Sequence, residues 1–279
     1  MTLPSPRTWL VTGASRGLGR AFAEVALESG ESVVATARKP EQLEDLVAAY
    51  DGQALALALD VTDRGQVQQV VEQATGFTGR LDVLVNNAGY GLAGGVEEAS
   101  EQEVRDQFEV NVFGALWCTQ AVLPVMRTQG AGHLFQISSI GGVAGFLNTG
   151  IYHASKWALE GFSESLAQEV APFGIGVTIV EPGPFRTDWN GDSMTRATPL
   201  PAYDEILGAR RAAMDGSQAR TQAGDPRKAA EALLTVLNSP KPPRRLLLGA
   251  LAADVGPATY HARLQEWAEW DTVARGADF

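Results

Sequence analysis

The run Trp9-Leu10-Val11-Thr12-Gly13-Ala14-Ser15-Arg16-Gly17-Leu18-Gly19 opens with three apolar residues and closes on a turn rich in glycine. An amphipathic helical pattern follows through Phe22, Val25 and Ala26 and stops at Gly30, a residue suited to a helix C-terminus. Strand, glycine turn and helix N-terminus together make an anion site. The first N–H groups of the helix and its dipole point at the ligand, and missing side chains let a pyrophosphate come close. A glycine-rich loop by itself is compatible with no ligand. Its place between a strand and a helix, at the head of an alternating pattern, favours a dinucleotide.

Outward from that turn, apolar runs at 8–11, 32–37, 54–59, 81–85, 133–137, 176–180 and 245–248 read as seven strands, with helical patterns between most of them. Alternation of near-continuous apolar strands with helices implies an α/β fold: a parallel sheet covered on both faces. Right-handed crossovers make it doubly wound, a Rossmann-type arrangement with ligands outside the carboxyl ends of the strands. No internal repeat or linker divides the 279 residues, so residues 1–279 read as a single domain.

Near mid-chain stands Tyr152-His153-Ala154-Ser155-Lys156. On a helix, Tyr152 and Lys156 share a face one turn apart. An ammonium beside a phenol favours the phenolate and draws its pKa down towards the working range of a general acid or base. A core tyrosine beside a solvated lysine gives the same spacing. His133, His153 and His261 are too far apart for a metal pattern, so no metal site is expected. His153 would face about 100° away from Tyr152. Glu97, Glu98, Glu101 and Glu103 read as decoration of a helix start, where negative charge is favoured.

A net charge of −11 argues against a nucleic-acid partner, which would need a basic face. No unbroken apolar stretch approaches the roughly 20 residues that span a bilayer. The N-terminus lacks the pattern of a signal peptide. Cys118 is the one cysteine, so no intrachain disulfide forms, and a reducing cytoplasm is the expected location.

The glycine motif at Thr12–Gly19 and the Tyr152/Lys156 pair resemble the short-chain dehydrogenase/reductase family. So do Asp60-Val61, Asn86-Asn87-Ala88-Gly89, Asn111, Ser138-Ser139 and Pro182-Gly183 with Thr187, which fall in the expected order between Thr8 and Thr187. The resemblance implies a seven-stranded Rossmann domain in which Gly13, Ser15, Arg16, Gly17, Leu18 and Gly19 bind the cofactor. Asp60 would take the adenine amino group, with a backbone contact from Val61. Asn87, Ala88 and Gly89 would line the adenosine ribose, and Asn86 is structural. Pro182, Gly183 and Thr187 would border the nicotinamide. The family's serine precedes its tyrosine by thirteen residues, which selects Ser139 over Ser138. Ser139 would hold the substrate carbonyl and Tyr152 donate the proton. Lys156 would bind the nicotinamide ribose and lower the tyrosine pKa, and Asn111 would hold a relay water.

In this family an acidic residue closing the second strand grips the ribose hydroxyls. Here that strand ends Thr36-Ala37-Arg38-Lys39. Arg38 and Arg16 would clamp a 2′-phosphate with paired donors, so NADP(H) is expected ahead of NAD(H). The patterns Asn87–Gly91, Ala158–Gly161 and Glu181–Phe185 are similar to the hydroxysteroid- and retinol-dehydrogenase-like branch. They imply a carbonyl or alcohol substrate that is bulky and apolar. A lid is expected over about 188–225, with Trp189, Met194, Leu200, Tyr203, Ile206 and Leu207 joining Tyr90, Leu92, Phe146 and Leu147 around the substrate. A helical tail over 257–279 would close the pocket or pack on another subunit, in a homodimer or homotetramer. The competing reading is a dinucleotide-sensing regulatory or scaffold protein without catalysis. Such a sensor needs neither the serine nor the phenol.

Overall fold

The structure is a computed structural model; it describes residues 3, 5–187, 191, 193–215 and 223–278. Trp189 and part of the expected lid lie outside the described residues.

Seven parallel strands form one sheet: β1 (Thr8–Val11), β2 (Ser32–Ala37), β3 (Ala54–Ala58), β4 (Val83–Asn86), β6 (Gly132–Ile137), β7 (Ile175–Pro182) and β9 (Arg245–Leu248). Their order is β3-β2-β1-β4-β6-β7-β9. The chain winds outward from β1 to β3, returns to place β4 beside β1, then winds the other way. The reversal opens a crevice at the carboxyl ends of β1 and β4. The strand expected at 81–85 begins two residues later, because Asp82 is drawn out of the apolar pattern to accept from the Thr8 amide and from Arg80.

Side chains along each strand alternate between two cores, as the period of two requires. Trp9, Val11, Val33, Ala35, Val83, Val85 and Phe135 face α1 (Gly17–Glu28) and α8 (Pro226–Leu237). Leu10, Val34, Leu84, Leu134 and Val177 face α3 (Arg64–Thr78), α5 (Ala115–Gln129) and α6 (Gly150–Val170). Asp225 caps α8 with Pro226 at its first position, as that dipeptide implies.

Three features depart from the strand–helix alternation. Gly91–Ala93 (β5) pairs in parallel with Met194–Arg196 (β8), a two-stranded sheet that such short runs do not announce. Between α4 (Glu101–Phe108) and α5 lies a π-helical turn, Glu109–Gly114. The rod Glu101–Gln129 is the one helix among the described residues long and apolar enough to cross a membrane by length and composition. In this fold its α5 portion packs on α3, β4 and β6. Finally, the C-terminal helix starts earlier than expected, as α9 (Ala250–Glu269), with Pro257 inside it, followed by α10 (Asp271–Arg275). Ala252 joins Ile140 and Val143 in a small core, and Arg263 donates to the Val143 carbonyl (2.7 Å), while Trp267 and Trp270 stay exposed.

Candidate active site

The glycine loop is shaped at three positions by missing side chains, two through backbone conformation and one through a close contact. Gly13 (φ +66°) and Gly17 (φ +60°) occupy the left-handed region, where other residues are strained. A Cβ on Gly19 would overlap the Gly13 carbonyl oxygen and Asn87 Nδ2, so this glycine lets α1 lie flat against the loop. No side chain caps the N-terminus of α1. This donor-rich, uncapped helix start matches what a pyrophosphate requires. Leu18 packs partly buried against the core, and Ser15 lies in the turn.

Asn87 ties the loop to β4. Its Nδ2 donates to the carbonyls of Thr12 and Gly13, both at 3.0 Å, while the amides of Asn87 and Ala88 donate to Thr12 Oγ1. Asn86 is structural, buried and donating to Ala115, Thr119 and Gln136. Thr187 stands 3.6 Å from where a Cβ on Gly17 would lie, which brings the end of the Pro182–Thr187 segment over the glycine loop. Pro182 pairs with Leu248, and the Gly183 amide donates to the Leu248 carbonyl (2.9 Å).

Beyond the ends of β2 and β3, Arg38 and Asp60 line an open groove of about 520 Å³ with Leu57, Ala58, Gln66, Gln69 and Gln73. Arg38 is exposed. Asp60 Oδ1 accepts from the Thr62 amide and hydroxyl, an arrangement that fixes the carboxylate. Val61 turns inward instead. Its side chain fills the space beside Gly114, where a Cβ would stand 2.5 Å from Val61 Cγ2.

The four expected catalytic side chains converge beyond the ends of β4 and β6. Ser139 follows β6 and its hydroxyl accepts from the Gly141 amide (3.0 Å). Ser138 is committed elsewhere, donating to Glu160 Oε1 at 2.6 Å. Lys156 is buried and donates to the Ile137 carbonyl (2.8 Å), with its ammonium 5.9 Å from the Tyr152 ring centre. Asn111 sits in the π-helical turn. Its amide group bonds both backbone atoms of Tyr90, N at 3.1 Å and O at 2.9 Å, and reaches Ser155 Oγ on α6. Gly89 closes the space: a Cβ there would lie 3.0 Å from Asn111 Oδ1 and 3.7 Å from Lys156 Nζ.

Burial pushes the Tyr152 phenol up to about 12, with the Ser139 hydrogen bond opposing it. Burial also draws Lys156 down to about 8, against the pull of Glu160. Burial acts on both groups together and favours the uncharged form of each.

His153 lies closer to the centre than a 100° offset suggests, its ring 5.7 Å from that of Tyr152. It bonds the Phe146 amide and Thr149 Oγ1, bracing the loop after Ser139. Among the described residues no group of His, Cys, Asp and Glu could hold a metal. Ser100 and Glu103 form a capping box at the start of α4, as negative residues there predict. Glu98 does something else. It is buried, accepts from the Gly95 and Leu200 amides, and pairs with Arg211 of α7 (Asp204–Asp215), which ties α7 to the segment after β5. Leu92, Met194 and Leu207 are buried, whereas Phe146, Leu147, Leu200 and Ile206 stay exposed.

The short chain dehydrogenase profile matches residues 7–197. The chain belongs to the short-chain dehydrogenase/reductase family. Among curated members it is 45% identical over 249 residues to oxidoreductase BOA17 of Botryotinia fuckeliana (89% of this chain, 90% of the relative). It is 39% identical to the 3-ketodihydrosphingosine reductase of Bacteroides thetaiotaomicron (88% and 89%) and 36% identical to human retinol dehydrogenase 8 (86% and 81%). A short-chain dehydrogenase from Streptomyces avermitilis has the same fold, with TM-score 0.91, 46% identity and coverage of 99% and 100%. ElxO with NADP bound (TM-score 0.72, 25% identity, 89% and 97%) and a Burkholderia phymatum enzyme in complex with NAD (0.77, 26%, 93% and 95%) are also similar. As a short-chain dehydrogenase/reductase, the chain is an oxidoreductase with a nucleotide-binding Rossmann fold, and solved structures similar to it hold NADP or NAD.

Proposed function

We propose that this protein is an NADP(H)-dependent oxidoreductase that interconverts a ketone or aldehyde and an alcohol, with Tyr152 as the general acid/base. The observation that carries the reading is the convergence of Ser139, Asn111 and the buried pair Tyr152 and Lys156, the ammonium 5.9 Å from the phenol ring centre, in a site whose burial favours the protonated phenol. A protonated phenol in a dry site is the form that reduction needs, since it gives its proton to the carbonyl oxygen. The bound nicotinamide supplies the hydride to the carbonyl carbon. Ser139 fixes the carbonyl oxygen beside the phenol. Lys156 holds the nicotinamide ribose, and Asn111 braces the floor of the site through Tyr90 and Ser155. Gly13, Ser15, Arg16, Gly17, Leu18 and Gly19 receive the pyrophosphate, and Asn87, Ala88 and Gly89 the neighbouring ribose. Asp60 and Val61 take the adenine, and Pro182, Gly183 and Thr187 border the nicotinamide. The exposed guanidinium of Arg38 in the adenosine-end groove supports NADP(H) over NAD(H), because paired donors suit a 2′-phosphate.

The substrate we propose is long and apolar. The names of two relatives point to a sphingoid ketone and to retinol, both largely hydrocarbon. Phe146, Leu147, Leu200 and Ile206 offer apolar surface on the lid side. A homodimer through α4–α5 and α6 is proposed as well, with Phe113 exposed beside Trp117 on that rod.

Oxidation of NADPH and of NADH against aliphatic, aromatic, steroidal and sphingoid ketones tests the reading, with Tyr152→Phe as control. Turnover with NADPH that collapses in the variant supports it. Tight NADPH binding with no turnover of any carbonyl would favour a sensor instead.

A further inference from the structure

Ser139 stands on the loop between β6 and α6, whereas Tyr152 and Lys156 stand on α6 itself. Their relative placement depends on what holds that loop to the helix. Ahead of the serine, Lys156 Nζ donates to the Ile137 carbonyl (2.8 Å) and Ser138 Oγ to Glu160 Oε1 (2.6 Å). Behind it, Trp157 Nε1 donates to the Gly141 carbonyl (3.0 Å), and Arg263 Nη2 of α9 to the Val143 carbonyl (2.7 Å). The two ties behind the serine have no part in the reaction as described so far.

Those two ties are joined to each other. The Arg263 guanidinium lies over the Trp157 ring, 4.7 Å from its centre, in a cation–π contact with an indole that is 43% exposed. An indole so open to water could swing away from the loop; a guanidinium fixed to Val143 restrains it. Gly141 is the residue they hold. Its carbonyl takes the indole proton, and its amide donates to Ser139 Oγ (3.0 Å). A Cβ on Gly141 would overlap the His153 ring, so the backbone lies close against α6 here. A hydroxyl has one proton and two lone pairs. With one lone pair taken by the Gly141 amide, Ser139 keeps its proton and the other lone pair for groups outside the loop.

We infer that Trp157 and Arg263 are positioning residues for Ser139: the indole N–H fixes Gly141, Gly141 sets the direction of the serine hydroxyl, and Arg263 holds the indole in place. Arg263 lies beyond residues 7–197, which the family profile matches, so it is the tail of the chain that reaches the loop of Ser139. The kinetic consequence rests on the oxidoreductase reading above; the hold on the loop does not.

The test is a pair of double-mutant cycles on the full chain. Trp157→Phe keeps a ring and loses the N–H; Arg263→Met keeps the stem and loses the charge and the donor. Each is made in the parent and in Ser139→Ala, and kcat and KM are measured with NADPH and a carbonyl that the parent reduces. Trp157→Phe should lower kcat in the parent by about 3–10-fold, the worth of one hydrogen bond, with KM for NADPH little changed. In Ser139→Ala the same substitution should lower kcat by less than about twofold, because the group it acts through is gone. Arg263→Met should follow the same pattern with a smaller fall. Equal falls in both backgrounds, or a lowered melting temperature with kcat unchanged, overturn the assignment, since ties of purely structural value give those results.

Hydrogen–deuterium exchange separates a failure of this inference from a failure of the oxidoreductase reading, because it needs neither substrate nor turnover. Amides of residues 140–144 should exchange about 3–10-fold faster in Trp157→Phe and in Arg263→Met, while β6 and the middle of α6 keep the parent's rates. Arg263→Met carries the measurement alone should Trp157→Phe fail to fold. Unchanged exchange in that loop overturns the inference even where a substrate is found. Faster exchange in a protein that turns over no carbonyl upholds the grip of Trp157 and Arg263 on Gly141, and what falls is the reading of Ser139 as the holder of a carbonyl.

Discussion

Gly19 and Gly13 touch so closely that no β-carbon fits between them: a methyl group on Gly19 would overlap the Gly13 carbonyl oxygen and the Asn87 amide that binds it. Helix and loop are therefore joined by a contact between two backbones. Overpacking of this kind costs about 1–3 kcal/mol. Gly19→Ala should lower the melting temperature and weaken NADPH binding together. Gly76→Ala, in an exposed stretch of α3 with open space around it, should instead stabilise by roughly 0.5–1 kcal/mol. Thermal melts and NADPH titrations of the two variants check both signs.

Tyr152→Phe removes the proton donor and keeps the ring. General acid catalysis contributes typically 10²–10⁴-fold, so kcat should fall by about that factor while NADPH binding changes little. The alkaline limb of the pH–rate profile should belong to Lys156, which loses its proton near 8, and not to Tyr152, which stays protonated to about 12. Activity is thus expected to decline as pH rises past 8. A plateau extending well above that would contradict the assignment.

Arg38→Asp exchanges two phosphate donors for a carboxylate. Losing a charge-assisted hydrogen bond costs about 1.5–3 kcal/mol, or roughly 10–100-fold in Kd for NADPH. The new carboxylate repels a 2′-phosphate and accepts from a 2′-hydroxyl, so NADH should bind better. Calorimetric titration of both cofactors against parent and variant gives the preference directly; an unchanged ratio would remove Arg38 from the cofactor site.

Two buried histidines set the response to acid. Burial lowers His133 and His153 to about 4, from an ordinary value near 6.5. Between those values the unfolded chain binds more protons than the folded one, so stability falls as pH drops through that window. His133 also bonds Thr178 across β6 and β7. Chemical denaturation at stepped pH should show acid destabilisation beginning just below neutrality, with a shallower slope in His133→Gln.

The sheet was legible because its strands are apolar on both faces, and all seven runs were found, with Val83–Asn86 displaced by the ties of Asp82. The glycine loop and the spacing of Ser139, Tyr152 and Lys156 were legible because they are local patterns. What escaped depends on distant partners. The β5–β8 ribbon forms only because residue 91 meets residue 194. Glu98 reads as a helix-start acid until Arg211 and Leu200, more than a hundred residues on, arrive at it. The protonation of Tyr152 and Lys156 depends on how much water the whole fold excludes, which no spacing reports.

The turn at Glu109–Gly114 carries one residue more than a regular helix would. Each extra residue rotates everything after it by about 100° around the axis. Asn111 points at Tyr90 and Ser155, and α5 lays Cys118, Val122 and Met126 on the sheet, only with that added residue in place. Side chains here can be exchanged singly, but the count cannot. Deleting one residue from the turn would leave a sound helix whose apolar stripe faces away from the sheet, with Asn111 turned out of the site.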